Sequence, residues 1–175
     1  MHWHLNSPRF SLWLMPGGEV RQRLAGAILE LSQQYYTPIF EPHVTLAGGI
    51  VGPVKKTVSK MRELAGRIAP FTVRLGAVDG SDEYFRCLFV KVATTHLIMS
   101  ANKAAREVFC LEKQPAFMPH LSLRYGHLPS GVKERMIASL AGRFELEFKA
   151  TSIHLYLIRR EPAVWRRVAT TGLGL

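Results

Sequence analysis

An α+β fold of two related halves, with two antiparallel-type sheets facing a central cleft and helices outside, is what this sequence predicts, and three observations carry the prediction. The phrase Pro42-His43-Val44-Thr45-Leu46 returns in the second half as Pro119-His120-Leu121-Ser122-Leu123. The segments around both copies follow one order of strand, helix, histidine strand, helix, strand. At 175 residues, with 47% hydrophobic and 21% charged side chains, the chain suits one domain with a substantial core. That domain is expected over 1–175, with lobe one over about 9–80 and lobe two over about 81–170, because the connection near Asp79 to Asp82 is too tight for a linker.

Arg9 to Leu14 alternates, with Phe10, Leu12 and Leu14 on one face and Arg9, Ser11 and Trp13 on the other, the period of a half-buried strand. Pro16-Gly17-Gly18 ends it. From Glu19 to about Gln34, Val20, Leu24, Ala27, Ile28 and Leu31 recur at the spacing of an amphipathic helix. The first histidine strand follows and is expected to break at Gly48-Gly49, read as a turn. Beyond Gly52-Pro53, Val54, Val58, Met61, Leu64, Ala65 and Ile68 define a second helix, and Phe71 to Val78 a strand that stops at Asp79-Gly80. The second half opens with a strand expected over Tyr84 to Ala93. A helix from roughly Thr95 to Leu111 then turns Leu97, Ile98, Ala101, Ala105, Val108 and Phe109 inward. After the second histidine strand, Gly126 to Gly131 reads as a loop, Val132 to Leu140 as a short helix and Phe144 to Leu157 as strand-forming sequence. Val164 to Ala169 suggests an edge strand, and Thr170 to Leu175 a frayed tail.

Residues i and i+2 of a strand share a face, so His43 with Thr45 and His120 with Ser122 look one way while Val44, Leu46, Leu121 and Leu123 pack into a core. A single His-x-Thr on a strand is ordinarily a half-buried edge; two matching copies imply one paired site. Imidazoles titrating near ~6.5 serve as general base and general acid around neutral pH. Thr45 and Ser122 can donate hydrogen bonds to non-bridging phosphate oxygens. In-line displacement at phosphorus needs a base on the attacking side and an acid on the leaving side, which two copies about an approximate two-fold axis supply. A serine-hydrolase reading fits less well, since Ser122 lies two residues from His120 on an apparent strand and no G-x-S-x-G is present. No Gly-rich phosphate loop follows a strand in the nucleotide-binding pattern. No metal site is expected, because neither histidine has a Cys or carboxylate at ligand spacing, and no cofactor is implied.

The formal charge of +10 favours phosphorylated or polyanionic ligands through long-range steering, although it is dispersed over Arg21/Arg23, Lys55/Lys56/Lys60, Arg159/Arg160 and Arg166/Arg167. Cys87 and Cys110 are expected to be reduced and buried. No apolar run approaches the ~18 residues of a membrane helix, and the N-terminal residues lack a secretion-signal pattern, so no membrane partner and a cytoplasmic location are expected. A monomer is expected, because the two lobes can bury each other's apolar faces.

The paired phrase resembles the signature of the two-histidine (2H) phosphoesterase superfamily and, within it, the plant-type cyclic phosphodiesterases. Phe10-Ser11-Leu12-Trp13-Leu14 with Pro16, Phe40-Glu41-Pro42-His43-Val44-Thr45, Phe85-Arg86-Cys87-Leu88-Phe89 and Phe117 to Tyr125 are all similar to that family's pattern, which covers about Arg9 to Val168. The resemblance implies a bilobal fold and metal-independent opening of a cyclic phosphodiester on a nucleotide-like ribose. Implied substrates are nucleoside 2',3'-cyclic phosphates, giving 2'-phosphates, and ADP-ribose 1'',2''-cyclic phosphate, giving the 1''-phosphate. His120 would activate water and His43 would protonate the departing ribose oxygen, with the reverse assignment as the alternative. Tyr125 and Trp13 are candidate stacking platforms for the base. Phe85 corresponds to a family aromatic but reads at least as well as core. His154 and Tyr156 could line the concave face, and Arg124 could reach phosphate, while His2, His4, His96 and His127 are expected at the surface. Two rivals remain: an enzyme of the RNA-end 2',3'-cyclic phosphodiesterase or 2'-5' RNA ligase-like branch, and a noncatalytic nucleotide-binding module.

Overall fold

The computed structural model describes residues 8–174, so the expectations for His2, His4 and Leu175 lie outside the described residues. The elements run β1 (Arg9–Leu14), α1 (Gly18–Tyr35), β2 (Val44–Val51), α2 (Val54–Ala65), β3 (Phe71–Gly80), β4 (Leu88–Val92), α3 (His96–Phe109), β5 (His120–Arg124), α4 (Ser130–Leu140), β6 (Glu147–Ala150), β7 (Ser152–Ile158) and β8 (Arg166–Gly172). The α+β class follows directly. Leu24, Ala27, Ile28 and Leu31 form the buried stripe of α1, and Ile98, Ala101, Ala105 and Val108 that of α3. The Thr95 side chain caps α3 by accepting the Ile98 N–H. Leu97 and Val54, expected inward, are exposed, because each lies just outside its helix's buried stripe.

The strands form one antiparallel order, β6-β3-β4-β5-β2-β1-β7-β8, rather than two separate sheets. Its two four-strand runs meet at β2 and β5 through a single register pair, Val44 with Leu121. β3 pairs with β4 and β6, whereas β7 and β8 return to β1. The strand expected over Phe144 to Leu157 is two strands separated by Thr151, one outermost at one end of the order and one next to last at the other. Only a curled sheet lets one residue bridge those positions. Helices α3 and α1 pack on the central strands β2 and β5, and α4 on β3, while α2 packs on α3, β7 and β8. Val44, Leu46, Leu121 and Leu123 join the core, which leaves their alternating neighbours for the opposite face.

Three local corrections bear on the site. Strand β2 does not stop at Gly48-Gly49. It runs on to Val51 through a bulge, since Phe10 and Leu12 stand opposite Ile50 and Ala47, with one residue between the first pair and two between the second. Gly49 has φ +69, which glycine accepts without a Cβ penalty, and Gln114 Nε2 donates to the Gly48 carbonyl. Tyr84-Phe85-Arg86 is a 3₁₀ turn instead of the start of β4, so these side chains escape strand alternation. The expected tail is mostly ordered strand, because Thr170 and Thr171 pair with His154 and Ile153. Cys87 is buried as expected, but Cys110 is exposed at the left-handed end of α3. No described helix is long and apolar enough to cross a membrane.

Candidate active site

Antiparallel pairing of Val44 with Leu121 decides how the two phrases meet. One step to either side puts His43 opposite Ser122 and Thr45 opposite His120, so each histidine faces the other copy's hydroxyl residue across an approximate two-fold axis. All four side chains line one cavity of about 380 Å³. The lining also includes Gly48 and Gly49 from the bulge, Phe85 and Arg86 from the 3₁₀ turn, and Trp165 from the segment before β8.

The prolines explain the histidine geometry. In each copy the imidazole Nδ1 meets the backbone carbonyl two residues earlier, across Pro42 or Pro119: Glu41 O at 2.6 Å from His43 and Met118 O at 2.9 Å from His120. A carbonyl only accepts, so Nδ1 carries the proton in both rings, and Nε2 is the nitrogen left to act as base or acid toward the cavity. Burial, the dominant influence, lowers the His43 pKa to about 4; the Glu41 carbonyl opposes this and the His120 charge adds to it. His120 is also lowered, again chiefly by burial, with the Met118 carbonyl opposing, the Arg86 charge adding to the shift and Glu83 working against it. Both rings are therefore neutral at pH 7 in the free protein.

His43 is 7% exposed and lies flat on Trp13, with ring centroids 3.5 Å apart and planes 9° from parallel. Tyr156 stacks on the same indole at 3.7 Å. Two rings at such distances cannot share one face, so Trp13, 2% exposed, is sandwiched and offers no open face to a nucleobase. Its Nε1 donates to Ser11 Oγ at 2.9 Å. Trp13 walls His43 on one side and Tyr156 on the other. The Tyr156 hydroxyl donates to the Glu41 carboxylate, tying the ring behind Trp13 to the residue whose carbonyl holds His43. Tyr156 thus supports the site from behind.

The hydroxyl pair is asymmetric. The Thr45 hydroxyl has no hydrogen-bond partner among the described residues and the residue is half-buried, whereas Ser122 Oγ donates to the Phe85 carbonyl at 2.9 Å. Tyr125 lines the cavity, as the end of β5 at Arg124 permits, but it is 3% exposed and stacked on Phe40 at 3.8 Å. Burial raises its phenol pKa, with the nearby Ser122 hydroxyl acting in the opposite direction. The more accessible aromatic surfaces are Phe85, 49% exposed, and half-buried Trp165, whose centroids lie 6.0 Å apart. Sequence reasoning misses Trp165 because it stands among charged residues at the start of an expected edge strand; a lone indole in so polar a stretch is the available signal.

Other candidates fall outside the cavity. His154 has both nitrogens engaged, with Ser152 Oγ at 3.0 Å and Thr170 Oγ1 at 3.1 Å. Arg124 is buried over the Tyr35 ring, donates to Cys87 Sγ at 3.3 Å and is not part of the cavity lining. His96 and His127 are exposed, as expected. Among the described residues, no group of three or more His, Cys, Asp and Glu side chains gathers at metal-binding spacing.

A family model described as cyclic phosphodiesterase-like protein matches residues 9–169. A cyclic phosphodiesterase of Arabidopsis thaliana is 26% identical over 125 residues, which cover 71% of this chain and 69% of that protein. Among solved structures, TT0787 of Thermus thermophilus has a TM-score of 0.69 at 18% identity, covering 94% of this chain and 97% of that one. LigT of E. coli in its apo form has a TM-score of 0.67 at 17% identity, covering 97% and 99%. LigT complexed with 3'-AMP has a TM-score of 0.65 at 17% identity, covering 95% and 98%. At these identities, the structural likenesses establish the shared fold.

Proposed function

Because the chain belongs to the cyclic phosphodiesterase-like protein family, within the two-histidine phosphoesterase superfamily, we propose that it hydrolyses cyclic phosphodiesters on nucleotides without a metal. The substrates are nucleoside 2',3'-cyclic phosphates, opened to 2'-phosphates, and ADP-ribose 1'',2''-cyclic phosphate, opened to the 1''-phosphate. The observation that carries this reading is the mirrored pair of histidines, each with Nδ1 committed to a carbonyl and both lining one cavity.

In the proposed reaction His120, the more open ring, takes a proton from water through Nε2 as the water oxygen attacks phosphorus. The bond from phosphorus to one ribose oxygen breaks, and His43 returns a proton to that oxygen. His43 must be protonated for this step. The negative charge of a bound phosphodiester favours its cationic form and opposes the burial that empties it in the free protein. Thr45 donates to a non-bridging oxygen, and Ser122 does so after its hydroxyl turns from the Phe85 carbonyl. Trp13 fixes the plane of His43, and Phe85 and Trp165 offer the base its more accessible aromatic surfaces.

A second reading, an RNA end as substrate, is favoured by one observation. Phe85 is also a wall of an adjoining cavity of about 600 Å³ whose lining includes Tyr84, Arg160 and Glu161, where the exposed aromatic faces could stack a further base. The deciding experiment is phosphorus NMR with a nucleoside 2',3'-cyclic phosphate and excess chelator, for the wild type, His43→Ala and His120→Ala. Conversion to the 2'-monophosphate by the wild type alone supports the proposal. Turnover by either variant within a few-fold of wild type overturns the two-histidine mechanism. Calorimetric binding of the cyclic phosphate without product supports a noncatalytic module, and conversion only of an oligonucleotide ending in a cyclic phosphate supports the RNA reading.

A further inference from the structure

The transition state of phosphodiester hydrolysis carries one more negative charge than the ground state, so the site must offer positive charge that strengthens as the reaction proceeds. The paired phrases supply little of it in the free protein. Both imidazoles are held neutral by burial, and the Ser122 proton is committed to the Phe85 carbonyl. The cationic side chains lining the cavity are Arg9 and Arg86. Arg9 is exposed at the start of β1, whereas the Arg86 side chain is only 26% exposed.

Arg86 is built into position. Its Nη2 is paired with the Glu83 carboxylate, Nη1 lies 3.8 Å from Met118 Sδ, and Nε is buried without a hydrogen-bond partner. The turn carrying it is held at both ends. Ser81 Oγ donates to the Arg86 carbonyl at 2.8 Å, while Lys133 from α4 donates to the Ser81 carbonyl at 2.9 Å and pairs with Asp82. Among the charged neighbours of His120, Arg86 and Glu83 act on it directly, and Lys91, opposite His120 on β4, is spent on Asp79 at 2.6 Å.

We infer that Arg86 is a catalytic residue of this site, contacting a non-bridging phosphate oxygen on the His120 side and stabilising the charge that develops there, an inference that rests on the phosphodiesterase reading above. Glu83, which also lines the cavity, holds one edge of the guanidinium, and Arg86 stays part of the lining. Arg86 adds a donor on the side where the Ser122 hydroxyl must first turn from the Phe85 carbonyl, and it makes the two otherwise symmetric halves of the site unequal.

The test compares wild type, Arg86→Met, Arg86→Lys and Arg74→Met, the last removing an exposed charge on β3 that is paired with Glu147. Loss of a charge-stabilising donor lowers kcat by roughly 10²-fold, so Arg86→Met is expected to lose about that much on a nucleoside 2',3'-cyclic phosphate. Arg86→Lys keeps the charge and should recover part of the rate, and Arg74→Met should match wild type. If His120 is the base, the acidic limb of kcat/KM moves to higher pH in Arg86→Met, because the cation that depresses His120 is gone. Calorimetric binding of a nucleoside 2'-monophosphate supplies an arm independent of turnover, with at least a tenfold loss expected in Arg86→Met. Wild-type inactivity with that tenfold loss intact refutes the enzyme reading while retaining Arg86 as a phosphate-binding residue. Equal nucleotide affinity in Arg86→Met and wild type, with circular dichroism showing both folded, overturns the assignment of Arg86.

Discussion

Mild acid should destabilise this protein through His43. The ring has an ordinary pKa of 6.5 in the unfolded chain and about 4 when buried against Trp13. Between those values the unfolded chain binds the proton and the folded one does not, so stability is full above 6.5 and falls as pH drops toward 4. From the two pKa values, the contribution lost is roughly 2 kcal/mol at pH 5 and about 3 kcal/mol at pH 4. For a chain of this size, about 2 kcal/mol corresponds to a drop in Tm of about 4–8 °C. His120 and His154 are shifted in the same direction, so wild type alone would not isolate the effect. Urea unfolding followed by circular dichroism at pH 7.5 and 5.0, for wild type and His43→Gln, does so by difference. Wild type should lose about 2 kcal/mol more than the variant over that range. Equal losses, within about 0.5 kcal/mol, would refute a His43 held neutral by burial.

Trp13→Ala removes the ring between His43 and Tyr156 and should cost about 3–5 kcal/mol in urea unfolding, while Trp13→Phe should retain most of the stability and lose kcat more than KM as His43 loses its stacked support. Gly49→Ala forces a Cβ onto φ +69 with Gln114 Nε2 at 3.1 Å, so roughly 1–3 kcal/mol of destabilisation is expected, readable as a lower urea midpoint. Lys133→Met unties the turn that carries Phe85 and Arg86; a loss of about 1–3 kcal/mol and a fall in kcat/KM on a cyclic nucleotide are expected, and unchanged kinetics would show that the turn holds its place without the lysine.

The helices and most strands are legible because their apolar residues repeat at 3.6 or 2, and burial follows that repeat in α1 and α3. Tyr84-Phe85-Arg86 misleads because aromatic residues suit strands, yet the chain there turns to enter β4. Gly48-Gly49 looks like a stop because a glycine pair weakens a strand; Gln114 and Asn102 take up the Gly48 and Leu46 carbonyls and let β2 continue. Arg124 shares strand parity with His120 and Ser122, but β5 ends with it, and it packs over the Tyr35 ring from α1, outside the cavity lining.

The sequence by itself determined the paired phrase, the α+β alternation and the membership of His43, Thr45, His120 and Ser122 in one set, because these depend on local repetition and on two residues of a strand sharing a face. Only the tertiary structure decided that one antiparallel pairing, Val44 with Leu121, brings the copies into a single cavity. It also decided that Trp13 is a sandwiched wall and that Trp165 and Arg86 complete the lining. Strand register, ring stacking and the burial that sets the His43 pKa are contacts between residues distant in the chain, and no local pattern encodes a partner's distance.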